Sequence, residues 1–195
     1  IPMGLQYSIT AIGSVILQTA VNGLGSVVVA SMTAGGKLSM FFCCPFDAFG
    51  STMATYAGQN LGAGKLDRVT KGMVQCSFVA AGYSVVAAVV MILFGKSFAL
   101  LFVDSTEVEI IANVAKLLII NSLFFIPLAL VNIIRFAIQG LGFGKLAIFA
   151  GVAEMVGRSI VGFGFVARFG FVAACLASPI AWILADIFLI PAYAY

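Results

Sequence analysis

Long apolar runs dominate the chain, and short polar or glycine-rich breaks separate them. A membrane-spanning helix needs about 20 apolar residues. The breaks delimit six runs of that order, at about residues 3–22, 26–57, 72–94, 110–138, 146–167 and 171 to the end. The pattern therefore predicts an all-α protein, a polytopic membrane helix bundle with six transmembrane helices. We expect residues 1–195 to form a single six-helix lobe.

Prolines and run lengths refine this prediction. The second run exceeds what a bilayer requires, so we expect that helix to tilt, to kink at Pro45 or to protrude. The third run has a short extension to Phe102, and Pro127 predicts a kink in the fourth. The chain begins and ends inside apolar runs, at Ile1 and Tyr195, so we expect it to be a fragment of a longer protein.

Composition agrees with the membrane interpretation. The chain is 63% hydrophobic and 9% charged, with a mean hydropathy of +1.18. A soluble domain carries about 25% charged residues, so a soluble fold is excluded. The lipid bilayer is the first expected partner.

Basic residues favour one side of the predicted bundle. Five of them follow or flank the breaks after the second and fourth helices: Lys65, Arg68, Lys71, Arg135 and Lys145. The alternate breaks carry two, Lys96 and Arg168. Basic residues mark the cytoplasmic side. Both ends of the segment are then expected in the cytoplasm, and the membrane is expected to be a prokaryotic plasma (inner) membrane.

A glycine-rich stretch occurs twice. GQNLGAGKL (58–66) recurs as IQGLGFGKL (138–146), with six of nine positions identical at an offset of 80 residues. The spacing fits neither a phosphate-binding P-loop nor a dinucleotide-binding loop, because Leu66 follows Gly64-Lys65 and no glycine stands three residues after Gly64. We interpret the first copy as a cytoplasmic inter-helix loop carrying Gly58, Gln59, Asn60, Gly62, Gly64, Lys65 and Arg68.

Ionisable residues inside the predicted spans are candidates for function, since each is costly in a bilayer. Glu154 and Arg158 are four residues apart and share a helix face. They form either a structural ion pair or a gate that breaks and re-forms. Asp186 lies deep in the sixth helix without a partner nearby in sequence.

Other polar residues are candidates for lining a cavity: Gln6, Gln18, Asn22, Lys37, Asp47, Asn121 and Asn132. Asp47 lines a cavity or makes a structural hydrogen bond, and the two interpretations stand equal. Amides bind ligands and also join helices to one another, so the amides leave the same choice open.

The residues of common enzyme sites are missing. The chain has no histidine, and its four cysteines lie in apolar runs without CxxC spacing. We therefore expect no catalytic residues, no metal site, no cofactor and no nucleic-acid partner.

Three stretches resemble the MATE (multidrug and toxic compound extrusion) transporters. GQNLGAGKLDRVTKG (58–72) resembles their loop between the second and third helices of a lobe. FAIQGLGFGKLAIFAGVAEMVGRSIVGF (136–163) resembles a later part of the lobe, and LQTAVNGLG (17–25) resembles the first helix of the C-terminal lobe. The resemblance implies two six-helix lobes around a central cavity, of which this chain is the C-terminal one and the N-terminal lobe its partner.

The resemblance also implies antiport, in which H⁺ or Na⁺ enters as a small organic, often cationic, compound such as a drug leaves. Some branches of the family use an acid in the first helix of this lobe, but that helix has none here. The coupling-ion site is therefore expected in the missing lobe, with Asp47 as the best local candidate. Two alternatives remain: a lipid-linked oligosaccharide flippase of the same superfamily, and a membrane structural or partner-binding subunit that transports nothing.

Overall fold

A computed structural model describes residues 2–194, which are helical apart from short turns. The helices are α1 (Pro2–Asn22), α2 (Ser26–Gly62), α3 (Leu66–Ala99), α4 (Val108–Leu123), α5 (Phe125–Gly140), α6 (Gly144–Ile160) and α7 (Val166–Ala194), with a π-helical segment (Val161–Phe165) joining α6 to α7. The all-α bundle of six predicted helices is confirmed. One predicted helix is split into α4 and α5, and the last two are joined.

The split between α4 and α5 is a bend of 54°. Its cause is Pro127, whose ring clashes with the carbonyl of the residue four positions earlier in a continuous helix. That residue is Leu123, the last of α4. The kink expected from Pro127 is therefore present. It lies at Leu123, four residues before the proline, because the proline ring would clash with the carbonyl of that residue.

The last two predicted helices are separated at Gly170, the one non-helical position inside α7 (φ 57°, ψ −136°). A Cβ added at Gly157 of α6 would lie 3.0 Å from the Cα of Ala181 in α7. In one straight helix these residues would be about 36 Å apart. The chain therefore turns back at Gly170, and α7 packs beside α6 as a separate span.

By length and composition, three helical segments of the described chain can cross a membrane alone: Ser26–Gly62, Leu66–Ala99 and the joined Gly144–Tyr193. The bent pair α4–α5 adds a fourth if it is one span. At 37 residues, α2 is about 55 Å long, against a hydrocarbon thickness of about 30 Å. It must tilt or protrude, and it continues through Pro45.

The two glycine-rich repeats form short helix-to-helix turns. The predicted loop at 58–68 is too long, because α2 extends to Gly62 and α3 begins at Leu66. The Lys65 amide donates to the Asn60 carbonyl at 2.8 Å, and Gly64 takes a positive φ of 69°. These are the features of a Schellman cap.

The second repeat has the same cap at a different glycine. The Phe143 amide donates to the Ile138 carbonyl at 3.1 Å, and Gly142 has a φ of 94°. Gly142 aligns with Gly62 rather than with Gly64. Similar sequences thus place the same turn two residues apart.

Small residues allow the helices to approach closely, as in other membrane bundles. A Cβ at Gly140 would lie 2.2 Å from the carbonyl oxygen of Ala54, so α5 touches the backbone of α2 there. The core between the helices contains Phe46, Phe125 and Met91, all fully buried. Large apolar side chains are exposed along α3, including Phe78 at 76% and Leu93 at 68%, a surface suited to lipid.

Candidate functional site: a polar cleft

A cleft of about 440 Å³ is formed by α1, α2, α4, α5, α6 and α7. Its polar and charged lining residues are Tyr7, Thr10, Ser14, Ser39, Asp47, Asn121, Asn132, Arg135, Glu154, Arg158 and Ser178. Apolar residues, among them Trp182 and Leu128, complete the wall. Ligand pockets of this size combine an apolar wall with a few placed polar groups. The cleft is therefore the candidate site.

An ionic cluster lies in the wall of this cleft. Arg135 Nη1 is 2.6 Å from Glu154 Oε1, and Arg158 Nη2 is 3.5 Å from Glu154 Oε2. Arg135 Nη2 also donates to Asn132 Oδ1 at 3.0 Å, and Arg158 Nη1 donates to the Thr10 carbonyl at 3.3 Å. The side chains of the three charged residues are at most 9% exposed. The cluster joins α1, α5 and α6.

Helical spacing and one turn bring these residues together. Asn132 and Arg135 are three residues apart on α5, and Glu154 and Arg158 are four apart on α6, so each pair shares a helix face. The turn between Gly140 and Gly144 folds α6 back along α5. The predicted contact between Glu154 and Arg158 is present, and its role as a gate stays a prediction.

The sequence pattern counted Arg135 among the bases of the cytoplasmic side, flanking the loop after the fourth helix, but its side chain faces the interior of the bundle. Because α5 continues to Gly140, Arg135 lies more than one turn inside the helix, with 7% of the residue exposed. Without it, Lys65, Arg68, Lys71 and Lys145 remain, four bases against two, so the charge bias keeps its direction. The i, i+3 spacing with Asn132 was the available sign that Arg135 faces inward.

Three of the predicted cavity residues lie in the cleft. Asp47 is exposed in this lobe and lines the cleft from α2. Asn121 is buried and donates to Ser39 Oγ at 3.3 Å, while its Oδ1 accepts no hydrogen bond from the described residues. Asn132 is buried and belongs to the ionic cluster. Their binding roles remain predictions.

The other four candidates lie outside the lining. Gln6 is buried and accepts a hydrogen bond from Gln139, while Gln18 donates to Asn22 at 3.0 Å on the exposed side of α1. Lys37 is exposed and lines a separate surface pocket. The sequence pattern treated all the amides alike. In the structure Asn121 and Asn132 line the cleft, whereas Gln6, Gln18 and Asn22 do not.

Asp104 lines the same pocket as Lys37, from the turn between α3 and α4. The backbone amide and the hydroxyl of Thr106 both donate to Asp104 Oδ1, each at 3.1 Å. These hydrogen bonds hold the pKa of Asp104 below its usual value. Asp104 therefore stays ionised at neutral pH near Lys37.

The glycine-turn residues Gly58, Gln59, Asn60, Gly62, Gly64, Lys65 and Arg68 are not part of the cleft. Gly64, Lys65 and Arg68 instead line a shallow surface depression at the α2–α3 turn. Within residues 2–194, no three histidine, cysteine, aspartate or glutamate side chains are grouped so as to hold a metal ion.

Solved transporters share this fold over one lobe. A MOP superfamily transporter from Pyrococcus furiosus matches with a TM-score of 0.83 at 17% identity, covering 97% of this chain and 42% of that chain. An outward-facing multidrug resistance MATE family transporter gives the same figures. A MATE structure in complex with MaD3S gives 0.84 at 17% identity, over 97% of this chain and 43% of that chain.

The chain therefore spans about two fifths of the length of these structures. A comparison with curated proteins found no significant match. The MatE family model matches residues 2–164, most of the chain and all of the cleft-lining helices except α7. In fold the chain corresponds to one lobe of these structures, and it belongs to the MatE family.

Proposed function

We propose that this chain is the C-terminal half of an antiporter that exports drugs or other small organic compounds in exchange for H⁺ or Na⁺. Members of its family are membrane transporters rather than enzymes. The observation that carries the proposal is the polar cleft, because it places Asp47, Glu154 and two arginines inside an otherwise apolar bundle. Such groups are costly in a membrane and mark substrate or ion pathways.

The partner that completes the transporter is proposed to be a homologous N-terminal lobe. The match to about two fifths of each solved chain supports this arrangement. An even number of spans puts both ends of the segment on one side, and the basic turn residues favour the cytoplasm. The two lobes would rock about a shared cavity.

The charges of the cleft favour organic cations as substrates. Arg135 and Arg158 are neutralised in part by Glu154, whose two oxygens both face arginines. Asp47 is the exposed carboxylate of the lining. A cationic compound entering the cleft would therefore meet Asp47 before it met the buried arginines.

The alternatives fit this lining less well. A lipid-linked oligosaccharide flippase is expected to show an excess of cations, but the cleft lining holds as many carboxylates, Asp47 and Glu154, as arginines. A structural subunit predicts a bundle without a polar cavity, and the cleft argues against it.

Ethidium efflux from an efflux-deficient host tests the proposal, using the gene product at its natural length. We expect expression to lower ethidium accumulation and Asp47→Asn to weaken that effect. Asp67→Asn, a matched change at an exposed residue in the first turn of α3, should leave efflux intact. Accumulation equal to that of the empty vector, for ethidium and for a panel of other organic cations, would reject export.

A further inference from the structure

Asp186 is a buried acid that has no hydrogen-bond partner among residues 2–194. It lies on α7 with 7% of the residue exposed, and its Oδ1 accepts no hydrogen bond from the described residues. Its helix neighbours Ala185 and Leu189 are fully buried in the apolar core. An ionised carboxylate is strongly disfavoured in such surroundings unless it is paired or solvated.

The charges nearest to Asp186 belong to the ionic cluster. Glu154 of α6 and Arg135 of α5 both lie within electrostatic range of it. Arg158 and Lys145 of α6 and Lys116 and Glu109 of α4 are the other charged residues on the elements packed against α7. Among the described residues, α1 and the π-helical segment contribute none. Of these charges, only Arg135 is both close and opposite in sign.

Arg135 has unused capacity to bind a second carboxylate. Its two terminal nitrogens donate hydrogen bonds to Glu154 and Asn132, but its buried Nε donates to no described residue. Glu154 does not depend on Arg135 alone, because Arg158 contacts its other oxygen at 3.5 Å. Arg135 can therefore leave Glu154 without stranding that acid.

We propose that Asp186 is the proton-coupling site of this lobe, and that Arg135 controls it by exchanging partners. In the arrangement described here Asp186 is neutral and Arg135 binds Glu154. When the Arg135 guanidinium, which lines the cleft, swings to Asp186, which does not, the carboxyl O–H bond breaks, a water molecule accepts the proton, and the guanidinium pairs with the new carboxylate. Reprotonation of Asp186 returns Arg135 to Glu154. This inference rests on the proposed antiport and places the coupling group in this lobe, not in the missing one.

The surroundings suit a proton better than a sodium ion. Hard cations are held by several oxygen ligands, and among residues 2–194 no three histidine, cysteine, aspartate or glutamate side chains are grouped so as to hold a metal ion. The nearest second carboxylate, Glu154, has both oxygens directed at arginines. One carboxyl group is enough for a proton.

Infrared spectroscopy tests proton binding independently of transport. The natural-length protein, purified in detergent without substrate, should show the carbonyl-stretching band of a protonated carboxyl group at neutral pH. Asp186→Asn should remove this band, while the matched Asp67→Asn should keep it. A band that persists in Asp186→Asn, or no such band in the wild type, overturns the proposal. If Asp186→Asn does not fold, Asp186→Glu must shift the band, and an unshifted band also overturns it.

Proteoliposomes loaded with ethidium test coupling. Asp186→Asn should retain ethidium exchange without a pH gradient but lose accumulation driven by one, and Asp186→Glu should restore it. A purely structural role would lower both activities together, and either that result or intact gradient-driven accumulation contradicts the proposal. Failure of the wild type to move ethidium and other organic cations would instead reject the proposed export, while the infrared result would still decide whether Asp186 holds a proton.

Discussion

The cluster of Arg135, Glu154 and Arg158 and the glycine turn between α2 and α3 are the two polar regions of this lobe that differ most. The cluster is buried, and each charge depends on a side chain or carbonyl from another position in the fold. The turn is exposed and is closed by hydrogen bonds within its own few residues. The comparison separates tertiary from local stabilisation. A substitution in the cluster should weaken the packing of α1, α5 and α6 against one another. A substitution in the turn should change stability through the local backbone conformation.

The largest expected effect is that of Glu154→Gln. It removes the carboxylate that contacts both buried arginines, Arg135 and Arg158, and breaking a buried ion pair costs about 3–5 kcal/mol. Thermal unfolding in detergent should show a marked loss of stability. The control Glu107→Gln removes an exposed acid and should change little. Equal unfolding temperatures for the two variants would show that the buried ion pairs contribute no more to stability than an exposed acid does.

Gly140→Ala tests a turn glycine that depends on a tertiary contact. A Cβ there would lie 2.2 Å from the Ala54 carbonyl oxygen, so α5 would have to move away from α2. Overpacking of this kind costs about 1–3 kcal/mol. Gly62→Ala is the matched control, because nothing lies within 4 Å of its added Cβ. We expect lower thermal stability for the first variant only, and no difference between the two would show that α2 and α5 separate easily.

Gly64→Ala and Gly142→Ala test the shifted caps. Both glycines have positive φ, at 69° and 94°, although they are not aligned in the repeat. A non-glycine residue in this conformation costs about 1–2 kcal/mol. Each variant should unfold at a lower temperature than the unsubstituted protein. Gly62→Ala, at the position of the first repeat that aligns with Gly142, should not lower the unfolding temperature. A loss of stability in Gly62→Ala instead would mean that the repeat caps both helices at the aligned glycine.

Lys65→Gln should have the smallest effect on stability. Lys65 is exposed, and no carboxylate of the described chain lies within ion-pair distance of it. Exposed charges contribute about 0–1 kcal/mol even when paired. We expect unfolding unchanged within error, which purified protein can check. A large loss would place the turn against a part of the molecule outside residues 2–194.

Local rules predicted much of this architecture. The hydrophobic runs predicted the helices, and Pro127 predicted the break between α4 and α5. The four-residue spacing predicted the contact between Glu154 and Arg158. The same rules counted Arg135 with the cytoplasmic bases because it stands five residues before the glycine that ends its helix. A helix that is apolar on every side carries little information about which face points inward, so the pattern did not show that a basic residue near the helix end was buried.

Apolar run length, proline and glycine are properties of the chain alone. They account for membrane helices, for their breaks at Leu123 and Gly170, and for short turns, since each acts through the nearest few residues. The partner of a buried charge is set by packing between helices far apart in sequence. That is why Arg135 meets Glu154, and why Asp186 of α7 lies within electrostatic range of both. The contacts of Arg135 and Glu154 lie in the wall of the cleft, and the cleft carries the proposed function.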